Sequence, residues 1–118
     1  MIKSFRELEV WKKSMEFAVH VYGVVKAFPE EERYGLADQL RRAVVSIPSN
    51  IAEGRGRGSA KDYVRFLFQA QGSLNEVVTQ LELAYRLGYI AHDTGLCDEA
   101  TSIAKMLSCM IKRLRTPT

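Results

Sequence analysis

The sequence predicts an all-α protein, an antiparallel up-and-down four-helix bundle with a Pro-kinked second helix. Three observations point there: apolar residues recur at alternating steps of three and four in four separate segments, strand-type alternation is absent, and the segments are joined by short connections. The 118 residues leave room for one domain, residues 1–118, which at that size buries roughly two-thirds of the surface of its unfolded chain. With 47% hydrophobic and 26% charged residues, the composition excludes a disordered tail, a collagen-like repeat and a disulfide-stapled miniprotein.

The first helix is expected over residues 5–28, with Leu8, Trp11, Met15, Ala18, Tyr22 and Val25 as its core stripe. Ser4 and Glu7 have the spacing of a capping box, and Pro29 stops the helix. The second, over 34–53, carries Leu36, Leu40, Val44, Ile47 and Ile51. Pro48 interrupts it; its missing N–H removes the bond to the Val44 carbonyl and should bend the helix. The third starts at a Ser59 cap, ends at Gly88, and keeps the alternation through Tyr63, Leu67, Ala70, Leu74, Val77, Leu81 and Ala84. The fourth repeats it at Leu96, Ala100, Ile103, Leu107, Met110 and Leu114, with Lys112, Arg113 and Arg115 beside the negative end of its dipole.

Apolar runs are too short to cross a bilayer, which takes about 18 residues or more, and Met1-Ile2-Lys3-Ser4 is unlike a signal peptide. A cytoplasmic, membrane-free protein is expected. Cys97 and Cys109, separated by about 18 Å along one helix, cannot pair, and are expected as two buried thiols. No metal ligand set and no cofactor motif is visible.

The formal charge of +3 permits a polyanionic partner, and its distribution is informative. Residues 33–65 hold seven Lys or Arg against Asp38, Glu53 and Asp62, a local +4. Within them Gly54-Arg55-Gly56-Arg57-Gly58 precedes a helix start, where glycines admit close backbone approach, the dipole favours anions and arginines fork onto phosphate. Either this is a phosphate-binding corner formed by Arg41, Arg42, Arg55, Arg57, Lys61 and Arg65, or it is a solvated connector. It lacks the Walker spacing. Arg42, Ser46, Ser49, Asn50 and Glu53 form a polar face on the second helix: plain surface, or contacts between subunits or to the loop.

Val64, Phe68, Val78 and Tyr85 make a second apolar stripe on the third helix. It is either a broad core face or a subunit interface, and a homo-oligomer is expected. For catalysis the one foothold is Arg86 and His92, whose spacing resembles the Arg-x(4–6)-His pattern of HEPN-class ribonucleases. His20 has no partner at helical spacing, the run Glu30-Glu31-Glu32 reads as a solvated helix start, and no activated nucleophile is present. The expectation is a non-enzyme.

The run Glu32-Arg33-Tyr34-Gly35-Leu36, continued by Gln39 to Gly54, closely resembles the signature of the four-helix-bundle proteins encoded in 23S ribosomal RNA intervening sequences. The likeness begins at Phe5-Arg6-Glu7-Leu8 and resumes at Asp62 to Leu67, Gln71 to Glu76 and Thr79 to Ala84, ending at Leu87-Gly88-Tyr89. Val78 departs from it, standing where an acidic residue is expected. The resemblance implies small bacterial bundles assembled as ring-shaped pentamers. It extends to the accessory protein of diversity-generating retroelements, a basic partner of a reverse transcriptase and its RNA. It implies no catalytic residues. Two functions follow as expectations: RNA or other nucleic-acid binding through the basic corner, or a protein-interaction adaptor docking through the apolar face of the third helix.

Overall fold

In the computed structural model, which describes residues 4–91 and 94–116, α1 runs Glu9–Val25, α2 Leu36–Arg55, α3 Ala60–Arg86 and α4 Leu96–Arg115. α2 packs on α1 and α3, and α4 packs on α3 and α1, so the four close into the expected antiparallel bundle, 50 × 23 × 20 Å. Among the described residues no helix is long and apolar enough to cross a membrane.

The ends of the helices show how local chemistry sets their limits. Ser4 does cap, but what it caps is a 3₁₀ turn, Phe5–Glu7: its Oγ accepts from the Arg6 N–H at 3.1 Å, and α1 begins only at Glu9. At the far end, the Ala27 and Phe28 N–H groups reach back only three residues, to Val24 and Val25, so the α-helix finishes before Pro29. The run Glu30–Glu32 is a separate 3₁₀ turn and no helix start. Its last carboxylate caps α2, accepting the Leu36 N–H on Oε1 at 3.0 Å and the Tyr89 hydroxyl on Oε2 at 2.9 Å. Ser59 caps α3 through the Asp62 N–H at 3.2 Å. α3 ends in a Schellman turn: Gly88 sits at φ +80°, its N–H bonds to the Tyr85 carbonyl, and the Tyr89 N–H reaches the Ala84 carbonyl at 2.9 Å.

α2 extends past residue 53 to Arg55 and runs through Pro48, which is buried in its interior. Its predicted stripe is buried throughout, as are Leu67, Ala70, Leu74, Val77, Leu81 and Ala84 of α3. In α4 Ile111 takes the last buried place, while Met110 and Leu114 lie half-buried beside it.

Two expectations fail. The core stripe of α1 is Val10, Ser14, Phe17, Val21 and Val25, with Ser14 satisfied by its Oγ donating to the Val10 carbonyl at 2.7 Å. The predicted stripe lies about 100° round the helix from it, one residue on. Only Ala18 and Val25 of that stripe are buried, whereas Met15 and Tyr22 are 41% and 42% exposed. The second failure concerns the thiols: Cys97 and Cys109 are both exposed, because neither falls on the Leu96, Ala100, Ile103, Leu107, Ile111 line that faces the core.

Candidate nucleic-acid interface

Gly54 is not part of a flexible loop. It lies in the last turns of α2, buried, where a Cβ would stand 2.8 Å from the Phe66 Cβ and 3.1 Å from Tyr63 Cδ1. The glycine therefore permits α2 and α3 to touch at their shared end, and the true connection is only residues 56–59. The Gly56 N–H bonds back to the Ala52 and Glu53 carbonyls at 3.2 Å and the Arg57 N–H to Gly54 at 3.1 Å. Those donors, which the glycine-rich pattern suggested for an anion, are engaged in finishing the helix.

Phe66 is buried in this corner, and two guanidinium carbons lie over its ring, Arg57 at 4.8 Å and Arg65 at 4.5 Å from the centroid. Each arginine also holds a carboxylate: Arg57 Nη2 to Glu53 at 3.1 Å, Arg65 Nε to Asp62 at 3.7 Å. Lys61 is exposed beside them and Arg55 is half-buried. Four cations thus meet two carboxylates at the start of α3, and the field is net positive. Tyr63 packs beneath; its hydroxyl is sealed from solvent with no hydrogen-bond partner among the described residues. Burial raises the phenol above its ordinary value of 10.0, against the opposing charge of Arg55.

The other predicted pair is elsewhere. Arg41 and Arg42 stand near the opposite end of α2, about 20 Å away along its axis. Arg41 donates to the Arg33 carbonyl at 3.2 Å, and exposed Arg42 pairs with Asp38 at 3.0 Å within its own helix. Along the polar face of α2, Ser46, Ser49 and Asn50 bond back to carbonyls of α2 itself. Glu53 alone reaches the loop, through Arg57. Arg86 is exposed and pairs with Glu82 at 3.0 Å, while His92 lies outside the described residues. His20, without a partner in its own helix, finds one in α4: its Nδ1 meets the Glu99 carboxylate. Among the described residues no group of three or more metal-ligating side chains assembles.

Of the expected interface residues, Val64 turns partly into the core, whereas Phe68, Val78 and Tyr85 stay exposed on the side where α3 meets α4. Val78 and Tyr85 edge a shallow depression of about 50 Å³ over Leu81, Cys97 and Ala100, in which Glu82 is the charged residue. Phe68 lies further along, with the Arg115 guanidinium 5.8 Å from its ring centre.

A large apolar surface feature was not expected as a site. α1 and α2 leave an open groove of about 800 Å³, walled by Trp11, Met15 and Tyr22 on one side and Val45, Pro48 and Ala52 on the other. Val19, 72% exposed, stands on its rim, and Lys26 is its one charged lining residue among those described. The signal was present: α1 carries two apolar stripes side by side, as α3 does, and one of them has to face outward.

Fold and surface together define a small all-α bundle with a basic corner between α2 and α3 and apolar surface on both its α1/α2 and its α3/α4 sides. The chain belongs to the 23S rRNA-intervening sequence protein family, whose model matches residues 6–109. A crystal structure at 1.70 Å resolution of a protein with unknown function, of the S23 ribosomal protein family from Bacteroides thetaiotaomicron VPI-5482, has the same fold. The two superpose with a TM-score of 0.81 at 32% sequence identity, over 87% of this chain and 98% of that one. No curated protein matches the chain.

Proposed function

We propose that this protein is a non-enzymatic nucleic-acid-binding bundle that works as a cytoplasmic homo-oligomer. The observation that carries the reading is the net-positive corner of Arg55, Arg57, Lys61 and Arg65 at the N-terminus of α3. The family description concerns intervening sequences of 23S rRNA and supports RNA as the polyanion. Removing Arg55 and Arg57 together should reduce the log-affinity against log-salt slope on single strands by up to about 1.4, at ~0.7 per phosphate contact. A folded double alanine variant with unchanged affinity and slope refutes the reading.

The oligomer is supported by the two apolar faces. α1/α2 and α3/α4 lie on opposite sides of the bundle; the first holds the groove with Lys26 on its wall, and the second holds the small depression beside Glu82 and a wider one of about 570 Å³ where Phe68 meets Lys112 and Arg115. Unlike faces pair head to tail, and such contacts give rings where the rotation between copies closes and open filaments where it does not; the resemblance to ring-shaped pentamers supports closure at five. The test is complementation. Val19→Glu with Val45→Glu blocks the groove, Val78→Glu with Tyr85→Glu blocks the opposite face, and each variant alone should be monomeric by light scattering. Mixed, they should form a one-to-one dimer through the remaining intact pair of faces. Wild-type chain that stays at 13.4 kDa at tens of micromolar removes the oligomer and favours the adaptor reading. The groove supports that reading too: it extends about 22 Å along α1 from Trp11 to Lys26, the length of a four-turn amphipathic helix from another protein, such as a reverse transcriptase. Incubation with the pure protein should leave RNA intact; cleavage that disappears in His92→Ala favours the ribonuclease.

A further inference from the structure

We infer that the corner between α2 and α3 selects unpaired nucleotides, by stacking their bases on the guanidinium groups of Arg57 and Arg65. The inference rests on the nucleic-acid reading above and adds the class of strand that the site takes.

Phosphate recognition needs N–H donors pointing outward, and here many are engaged. The Gly56 and Arg57 backbone N–H groups close the end of α2, the Asp62 N–H is taken by the Ser59 Oγ, and Arg57 Nη2 and Arg65 Nε lie 3.1 Å and 3.7 Å from the Glu53 and Asp62 carboxylates. Each guanidinium carbon lies over the Phe66 ring, 4.8 Å and 4.5 Å from its centroid. The two side chains are nonetheless 43% and 55% exposed, so each guanidinium also meets solvent. A guanidinium plane open to solvent is a stacking surface for a base, combining dispersion with attraction between cation and π-system.

The geometry also makes this surface stiff. Phe66 is 9% exposed, and its Cβ packs against the α2 backbone at Gly54, so close that a single added carbon there would stand 2.8 Å from it. Each arginine is thereby held by a ring behind it and a carboxylate at its edge, and little side-chain freedom remains to be lost on binding. Within a duplex the base faces are stacked on one another, so single strands, bulges and loops present many free faces to such a platform and a blunt duplex only its two ends. Lys61 and Arg55, close by, supply charge for the backbone of the same strand.

The experiment compares a fluorescein-labelled 12-nucleotide RNA with the blunt 12-base-pair duplex of the same sequence, by anisotropy at one salt concentration, using the intact chain. Wild type should prefer the single strand. Arg57→Lys with Arg65→Lys retains both charges and loses both planes, and should weaken single-strand binding by about tenfold to a hundredfold while duplex affinity and salt slope hold. Phe66→Leu, which retains an apolar plug but removes the ring behind the guanidinium groups, should move selectivity the same way, with circular dichroism confirming that each variant is folded. A double lysine variant that binds single strands as tightly as wild type overturns the stacking inference and leaves the phosphate reading standing. Wild type that binds neither RNA overturns both.

Discussion

Gly54→Ala tests the contact on which the basic corner is built. A Cβ at this position meets Phe66 Cβ at 2.8 Å, Tyr63 Cδ1 at 3.1 Å and the Tyr63 carbonyl at 3.3 Å, so α2 and α3 have to separate. Overpacking of this kind costs about 1–3 kcal/mol. Alanine also improves helix propensity by about 0.8–1.0 kcal/mol, which would mask part of the cost in a single measurement. Gly72→Ala removes that ambiguity: Gly72 is exposed inside α3 with nothing within 4 Å of its added Cβ, so it receives the propensity gain alone. The difference between the two variants is then the overpacking cost itself, about 1–3 kcal/mol. Urea unfolding followed at 222 nm, at equal protein concentration, should separate their midpoints by roughly 1 M for a domain whose m-value is about 1–3 kcal/mol/M. Gly72→Ala should lie above wild type, and Gly54→Ala below Gly72→Ala. Equal midpoints for the two variants would show that the corner yields without cost, and the stiff platform beneath Arg57 and Arg65 would go with it.

The orientation of α1 is checked by Phe17→Ala, which empties a fully buried site and should cost about 3–5 kcal/mol in urea unfolding; Met15→Ala on the groove wall should change monomer stability by less than about 1 kcal/mol. The hydrogen bond to Glu32, followed by burial and the Glu32 and Glu31 charges, raises the Tyr89 phenol above 10.0. Its raised value favours the protonated form in the fold, so the stability it contributes is complete below pH 10 and declines as pH rises through the folded value; Tyr89→Phe should abolish that part of the alkaline decline in a series of melting curves. Tyr63→Phe removes a sealed hydroxyl without a partner among the described residues and should leave stability unchanged or slightly higher in the same assay, whereas a marked loss would reveal a partner for it. Ellman's reagent should titrate both Cys97 and Cys109 without denaturant in the monomeric Val78→Glu, Tyr85→Glu variant, as their exposure on the single bundle requires.

Period, caps and breakers determined the number of helices, their order and most of the buried residues, because those features depend on neighbours within one or two turns. The stripes of α2 and α3 could be read directly, since each has one run of aliphatic residues at helical spacing that outcompetes the rest. α1 has two runs of equal quality, Val10, Phe17, Val21 and Trp11, Met15, Tyr22, and no local rule ranks them. The choice is made by packing: only one rotation of α1 brings Phe17 and Val21 into the space left by α2 and α4, and the groove is the consequence. The thiols went astray for the same reason, since cysteine is usually buried and only the rotation of α4 places both outside. The basic residues were visible as a cluster in the chain, but a helix separates what is close in sequence, sending Arg41 and Arg42 to one end and Arg57 and Arg65 to the other. Contacts made across the bundle could not be foreseen at all. His20 with Glu99, Tyr89 with Glu32, and Gly54 against Phe66 join residues on different elements, and their meeting depends on how the helices pack against one another, which no stretch of sequence specifies alone.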